Sequence, residues 1–465
     1  LLHPTEREIF LHLSVFRGGF TREAAQQVTG ASLQQLVGLV NKSFLSHDPN
    51  SGRLEIHELL RQYAQERLGN IPEASLSAQE AHAAYYAEFM QERWQQLKGK
   101  RQLLALTEIE ANIENVRAAW RYYIDQKNAP QMWKFIKGLW LVYWIRWWNH
   151  AGMELFAEAV NALQGVKDKE SAPLRALAMA YQAYFMGWLG LSKQGYKLAE
   201  EGVAILLQLN NPEALVFAYD SLLLNAFFLS RYTEYVEAIN KMVKISTEIG
   251  DKWLFAFTLF GASLGALNQE DYPEARRLAE INLNLNEEIG DVFGSTIPLI
   301  VLGHAALACG EPEKAKGFYL RCLKISQEIR FHFAIQTSSK YLGKVALSMG
   351  DISEAENYLL QSLIISKEIG FVRDIINLFY EFARLWVAQD NSEPAVELLA
   401  FVLQHPASYE SRLLEGRIRD SAKDLLAEIE DELPYEIFTK AVERGQGLEL
   451  EGIYLDLVEP KHIPN

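Results

Sequence analysis

Glu248-Ile249-Gly250-Asp251 returns as Glu288-Ile289-Gly290-Asp291, then as Glu328-Ile329-Arg330-Phe331 and Glu368-Ile369-Gly370-Phe371. The step is 40 residues each time, and Ala275, Ala315, Ala355 and Ala395 keep the same step in another phase. Only a repeating supersecondary unit holds such a register, so the bulk of the chain reads as a stack of like units. A stack offers surface rather than a single catalytic pocket, and binding becomes the expected role.

Each block carries two helical patterns and a tight turn. In the block from 331, Ile335, Tyr341, Leu342, Val345 and Leu347 give the first helix an apolar face. Met349-Gly350-Asp351 breaks it, and Ser353-Glu354-Ala355 opens a second helix carrying Leu359, Leu363 and Ile364. One block earlier Pro312 follows Gly310-Glu311, a place where only a helix start tolerates proline. Helical period, not alternation, excludes propeller blades. Among helical classes the blocks resemble tetratricopeptide repeats with extended helices, on the Leu302-Gly303 and Leu342-Gly343 pairs, the small residues Ala306 and Ala346, and the alanine series. Ser263, Gly303, Gly343 and Ala383 share one phase, which lets the two helices of a unit approach closely. Leu223 and Tyr235 stand where small residues are expected, so the block from 211 is atypical. The count is about six repeats over 171–406, with a polar closing helix around 409–430. The expected fold is therefore all-α, a right-handed superhelical solenoid of tetratricopeptide-like helix pairs.

Composition bounds the partners. The chain has 465 residues, 49% apolar and 23% charged, with a net charge of −15. That balance argues against a broad phosphate-binding surface. Cys309 and Cys322 give neither a disulfide framework nor zinc spacing and suit a reducing, cytoplasmic setting. The most apolar run, residues 138–145, meets Arg146 well short of the ~18–20 residues of a membrane helix. The chain opens at Leu1 almost directly in helical pattern and reads as a piece of a longer protein.

The first seventy residues do not share the period. Helical patterns over 5–16, from Thr21 and over 32–44 precede two strand-like runs, 44–46 and 53–56, around the turn-forming 48–52. Three helices and a hairpin make a winged helix. Leu13-Ser14-Val15-Phe16-Arg17-Gly18-Gly19-Phe20, then residues 36–45, then Ile56-His57-Glu58-Leu59-Leu60-Arg61-Gln62-Tyr63-Ala64 occur in order. They resemble the winged-helix module that follows the nucleotide-binding core of STAND proteins, signal-transduction ATPases with numerous domains. Asn112-Ile113-Glu114-Asn115-Val116-Arg117-Ala118-Ala119 is similar to the helical segment between that module and the repeats. The expected domains are a winged helix over 1–70, a helical connector over 71–165, the repeat array with its closing helix over 166–430, and a C-terminal helix and tail over 431–465.

The resemblance implies a role for His57. Ile56-His57-Glu58 is similar to the Met-His-Asp signature of such switches, whose histidine approaches the phosphates of bound ADP. The other reading is a capping or packing role at the strand–helix junction. The chain has no Gly-x-x-x-x-Gly-Lys-[Ser/Thr] loop, so ADP or ATP is expected only in a full-length protein. Residues 57–61 also mimic the start of a zinc-protease helix, but Arg61 stands where the second histidine is needed. No metal site is expected. Basic and acidic residues are matched over 1–70, and the third helix carries only Lys42, so DNA binding through this segment is not expected.

In repeats of this class the first helices line the concave side. Projected onto the period, that face carries Tyr184, Phe217, Asp220, Phe257, Phe260, His304, Lys340, Lys344, Tyr380 and Arg384. Early repeats are aromatic and later ones basic, which suits an amphipathic, anionic ligand or an acidic peptide. The competing reading has the aromatics filling the interior and the cations solvating its rim. Trp140, Trp144 and Trp147 fall at helical spacing on one face and read as core, with Arg146 and Trp148 pointing elsewhere. No paired carboxylate, His, Ser or Cys constellation supports catalysis. The functional expectation is the sensor portion of a STAND switch, monomeric in isolation. It binds an inducer, a small molecule or peptide, and relays the event to an upstream ATPase core in a protein acting in transcription regulation. The alternative is a passive adaptor that docks a partner protein or peptide.

Overall fold

The computed structural model describes residues 2–166, 168–409 and 418–459. α1 (Pro4–Leu13), α2 (Arg22–Thr29) and α3 (Leu33–Asn41) precede a two-stranded hairpin, β1 (Ser46–His47) and β2 (Leu54–Glu55), and then α4 (Glu58–Gly69). The strands run antiparallel with Ser46 opposite Glu55 and His47 opposite Leu54. Thr21 caps α2 by accepting from the Ala24 amide at 3.1 Å, as its place before the helix predicts. A run of longer helices follows: α5 (Pro72–Leu97), α6 (Gln102–Ala111), α7 (Ile113–Asp125), α8 (Ala129–Ile145) and α9 (Asn149–Ala162).

The repeats are helix pairs. They are α10 (Ser171–Trp188) with α11 (Ser192–Leu209), α12 (Pro212–Phe228) with α13 (Tyr232–Ile249), and α14 (Lys252–Asn268) with α15 (Tyr272–Ile289). Then come α16 (Thr296–Ala308) with α17 (Pro312–Ile329), α18 (His332–Ser348) with α19 (Ile352–Glu368), and α20 (Val372–Ala388) with α21 (Ser392–Gln404). The 40-residue step is written into the backbone. Positive φ recurs at Asn210, Gly250, Gly290, Arg330 and Gly370, where second helices end, and at Gly190, Ser230, Glu270, Gly310, Gly350 and Asp390, between the helices of each pair. A left-handed residue at a helix end satisfies orphan carbonyls and turns the chain, so the series repeats one corner geometry. This is a solenoid of tetratricopeptide-like helix pairs, and the fold expectation holds.

By internal contacts the chain forms two compact units, Leu1–Trp144 with Asn149–Leu222, and Ile145–Trp148 with Leu223–Asn465. In the second unit, small residues set the spacing within pairs. A Cβ on Gly303 would lie 2.5 Å from the Tyr319 ring, and one on Gly343 2.7 Å from Leu359. The atypical block is accommodated by its neighbour: Tyr235 packs on Gly265, where a Cβ would come within 2.8 Å, and its hydroxyl donates to the Gly261 carbonyl at 2.7 Å. Leu223 meets Gly261 in the same way, at 3.1 Å from a Cβ. The closing helix expected around 409–430 falls partly on residues 410–417, outside the described residues; α22 (Ile418–Glu432) covers the rest. α23 (Tyr435–Gln446) and α24 (Leu450–Val458) bury Phe438, Ala441 and Ile453 in one apolar cluster with Leu363, Phe379 and Leu399. Residues 460–465 lie outside the described residues.

In the first unit, the segments singled out in the sequence meet. Gly18 takes φ +75, folding Phe20 back so that it stacks on Phe16 at 4.3 Å. The Asn115 side chain accepts from the Arg17 amide at 2.7 Å and donates to the Gly19 carbonyl at 3.2 Å. Its oxygen also lies 3.2 Å from Nε2 of His82 on α5, which must carry the proton because that oxygen only accepts. Arg53 of β2 donates to the Gly19 carbonyl, to the Ala111 carbonyl at 2.8 Å and to Asn112 Oδ1 at 3.0 Å. Arg17 and Arg61 bond carbonyls at the end of α1, Arg17 to Ser14, Val15 and Phe16 and Arg61 to Ser14. These carbonyls lie in the turn that follows α1, where no helical partner satisfies them. Burial pushes the His82 imidazole down to about 4, so it sits neutral in this joint. Asn115→Ala strips buried partners from the Arg17 amide, the Gly19 carbonyl and His82 at once. It should cost about 2–3 kcal/mol of stability, read as a lower urea midpoint of the whole chain.

Candidate functional site

α8, α10 and α12 build the aromatic part of the predicted face in two steps. Trp140 stacks on Tyr181 at 5.0 Å and 11°, and Phe217 meets Trp140 edge-on at 5.3 Å. One turn further along each helix come Trp144, Tyr184 and Asp220, because residues three and four apart share a helix face. Trp144 and Tyr184 meet edge-on at 5.5 Å. Tyr184, Phe217 and Asp220 are all buried.

Asp220 is different. It is 5% exposed, and among the described residues no side chain or amide donates a hydrogen bond to it. Burial alone raises its carboxyl to about 8. The buried phenols of Tyr181 and Tyr184 are pushed well above their ordinary range, first by burial and then by this carboxyl among other charges.

In the second unit, Phe257 lies stacked on Trp253 at 5.8 Å, and Phe260 is half-buried on the same helix. His304 is packed rather than presented. Its Nδ1 lies 2.8 Å from the Ile300 carbonyl and 3.0 Å from the Tyr319 hydroxyl, and its ring meets Tyr341 edge-on at 3.9 Å.

The cations behave otherwise than expected. Lys340 donates to Asp374 at 2.6 Å in a nearly dry pair, and Gln336 bonds the same oxygen at 3.2 Å. Lys344 and Arg384 both hold Glu381, at 2.9 Å and 2.7 Å. Lys340 and Lys344 each lie 5.3 Å from the Tyr341 ring centre. Three cations therefore face two buried carboxylates, and the expected basic end is largely neutralised. Tyr380 is half-buried beside this network. Asp374 and Glu381 were missed in the sequence, although the spacing of Asp374, Asn377 and Glu381 within an apolar helix marks one buried polar face.

One further placement corrects the sequence reading. α8 ends at Ile145, and Trp147 takes φ +58 outside it, so Trp147 does not share the face of Trp140 and Trp144. It stacks instead on Phe333 at 4.9 Å, while Arg146 donates to the Ile329 carbonyl at 2.5 Å. A residue as bulky as tryptophan adopts positive φ only when packing holds it there. His57 is exposed, its Nδ1 accepting weakly from the Leu59 amide at 3.4 Å, which leaves Nε2 as the outward donor. The sequence also gave no sign of a cleft of about 180 Å³ lined by Glu114, Arg117, Arg121, Tyr143, Glu154 and Glu158. Arg117 is already taken there, by the Tyr143 hydroxyl and Glu114 at 2.6 Å each. Among the described residues no cluster of His, Cys, Asp or Glu could hold a metal ion, and no helix is long and apolar enough to cross a membrane.

No family model and no curated protein matches the chain. Solved structures do. A STAND protein with a tetratricopeptide-repeat sensor from Pyrococcus horikoshii is similar at a TM-score of 0.59 and 16% identity, over 98% of this chain. This chain spans 65% of the length of that protein. A Rap protein complexed with Competence and Sporulation Factor matches at a TM-score of 0.48 and 13% identity, covering 81% of this chain and 99% of its own. Aspartyl phosphate phosphatase F from Bacillus subtilis matches at 0.45 and 14%, covering 82% and 97%. At such identities the first likeness shows the fold alone, and the other two add no argument.

The Asp220 carboxyl gives a signed pH dependence. Its folded value of about 8 exceeds its ordinary 3.8, so the folded protein holds this proton more tightly than the unfolded chain. The group's contribution is intact below about pH 4 and is lost as pH rises towards about 8. Thermal melts should therefore show Asp220→Asn more stable than wild type at about pH 8 and nearly equal to it at about pH 4.

Proposed function

We propose that this chain is the sensor and relay portion of a STAND-type signalling switch. Its first module serves as the winged helix, α5–α9 as the connector, and the helix pairs as the inducer-binding array. One observation carries the reading: the likeness to a STAND protein that has a tetratricopeptide-repeat sensor covers 98% of this chain. The hydrogen bonds of Arg17 and Gly19 with Asn115 support it, because both segments resemble the family.

In this reading the inducer binds the array better in one arrangement than in another, since a ligand shifts an equilibrium only by its differential affinity. The connector carries the change to the winged helix through that joint. A nucleotide-binding core in a longer protein would hold ADP at rest and exchange it for ATP, with the outward Nε2 of His57 donating to a phosphate. The chain itself carries no catalytic role.

Thermal unfolding of the chain against a metabolite and peptide library tests this. A small molecule at a hundredfold its dissociation constant should stabilise the chain by about 2.7 kcal/mol. Phe260→Ala or Arg384→Ala should reduce that shift. Shifts with peptides or proteins alone would favour a passive adaptor, and no shift with any of them would overturn ligand binding by the array.

A further inference from the structure

The seat of the N-terminal module on α5 and α7 is built around one titratable ring. His82 on α5 is 4% exposed, and the rings of Phe16 and Tyr86 lie 5.2 Å and 4.8 Å from it. Phe16 belongs to the turn after α1 and Asn115 to α7, so three segments far apart in sequence close on the same imidazole. Asn115 Oδ1 is shared, accepting from Nε2 of His82 at 3.2 Å and from the Arg17 amide at 2.7 Å. Among the described residues this is the ring's only hydrogen bond, so Nδ1 has no acceptor. The second proton of an imidazolium would sit there. The charge that acts on the ring is Arg17, of the same sign, and among the described residues no carboxylate does. From β2, Arg53 is a further cation, bound to the Gly19 and Ala111 carbonyls. Arg61 of α4 is held by Glu58. The acids of the remaining elements are turned elsewhere, Glu6 of α1 to Lys42, Glu108 of α6 to Arg93 and Glu114 of α7 to Arg117, while Glu23 of α2 is exposed. α5 itself adds the phenols of Tyr85 and Tyr86, which burial keeps protonated.

We propose that His82 makes this seat an acid-released joint, in which a proton on the ring opens the N-terminal module from α5 and α7 while the helix pairs stay folded. A buried cation beside another cation is costly, and opening hands the ring to water. Asn115 couples the ring to the turn, because it also holds the Arg17 amide and the Gly19 carbonyl. The segment that carries Phe16 and Phe20 is therefore freed with it. Burial, with Arg17 behind it, holds the closed ring at about 4 against an ordinary 6.5, so the open form binds the proton more tightly. The closed form's advantage is complete above about pH 6.5 and is lost as pH falls towards about 4. Histidine is the side chain whose ordinary titration lies in this range. The inference holds whether or not the array binds an inducer.

Hydrogen–deuterium exchange of the full chain at about pH 7.5 and about pH 5, corrected for intrinsic rates, reads the opening. Amides of residues 14–20 should lose about thirtyfold of their protection at the lower pH, and those of α20 and α21 should keep theirs. His82→Gln retains a donor in reach of Asn115 but cannot titrate, so it should show no such loss. Equal loss in wild type and His82→Gln, loss spread alike over α20 and α21, or no loss at the lower pH would overturn the joint. Should His82→Gln not fold, the wild type decides alone. Protection of 14–20 should then fall about tenfold per pH unit between about pH 6 and about pH 4.5, the slope of one proton, and a flat profile would overturn the joint.

Discussion

The Tyr319 ring occupies the space where a side chain on residue 303 would begin, and Leu359 does the same against residue 343. That close approach of the two helices in a pair is the constraint on which the array depends. It explains why a small residue keeps one phase through Ser263, Gly303, Gly343 and Ala383, each buried at the contact. The left-handed corners at 40-residue steps then reproduce the same turn from pair to pair, so one local geometry propagates. Where the block from 211 breaks the rule with Leu223 and Tyr235, the next helix yields instead. Gly261 and Gly265 make the room that the earlier block lacks.

Polar groups carry a second kind of order. Across α18 and α20 buried charges are arranged as ion pairs, with Asp374 and Glu381 spaced so that each meets a lysine from the preceding pair. Such pairs add little net stability but disfavour any packing in which one partner is left alone. The joint around Asn115 follows the same logic in hydrogen bonds. Backbone groups of the Gly18 turn, the turn after α1 and the end of α6 are met by side chains, leaving few alternative ways to seat these helices together. Asp220 stands out because it lacks this treatment.

The fold was largely legible in the sequence. The period, the helix pairs, the turn glycines at Gly250, Gly290 and Gly350, and the atypical 211 block all follow from local chemistry, since helix periodicity and left-handed corners are set within a few residues. The three N-terminal helices and their hairpin were equally readable, down to the Thr21 cap. The same period places Tyr184, Phe217 and Asp220, and separately Lys340 and Arg384, on first helices of their pairs.

What that face does chemically was not readable, because it depends on groups brought together by packing. Lys340 and Asp374 lie 34 residues apart and become a buried pair only when α18 and α20 align. Trp147 keeps helical spacing with Trp144 but leaves the helix, since φ +58 turns it onto Phe333. The sequence alone determined the repeat and its corners. The tertiary structure decided which charges are neutralised and that Asp220 has no donor among the described residues, because Coulomb and hydrogen-bond energies depend on distances between helices rather than on spacing along the chain.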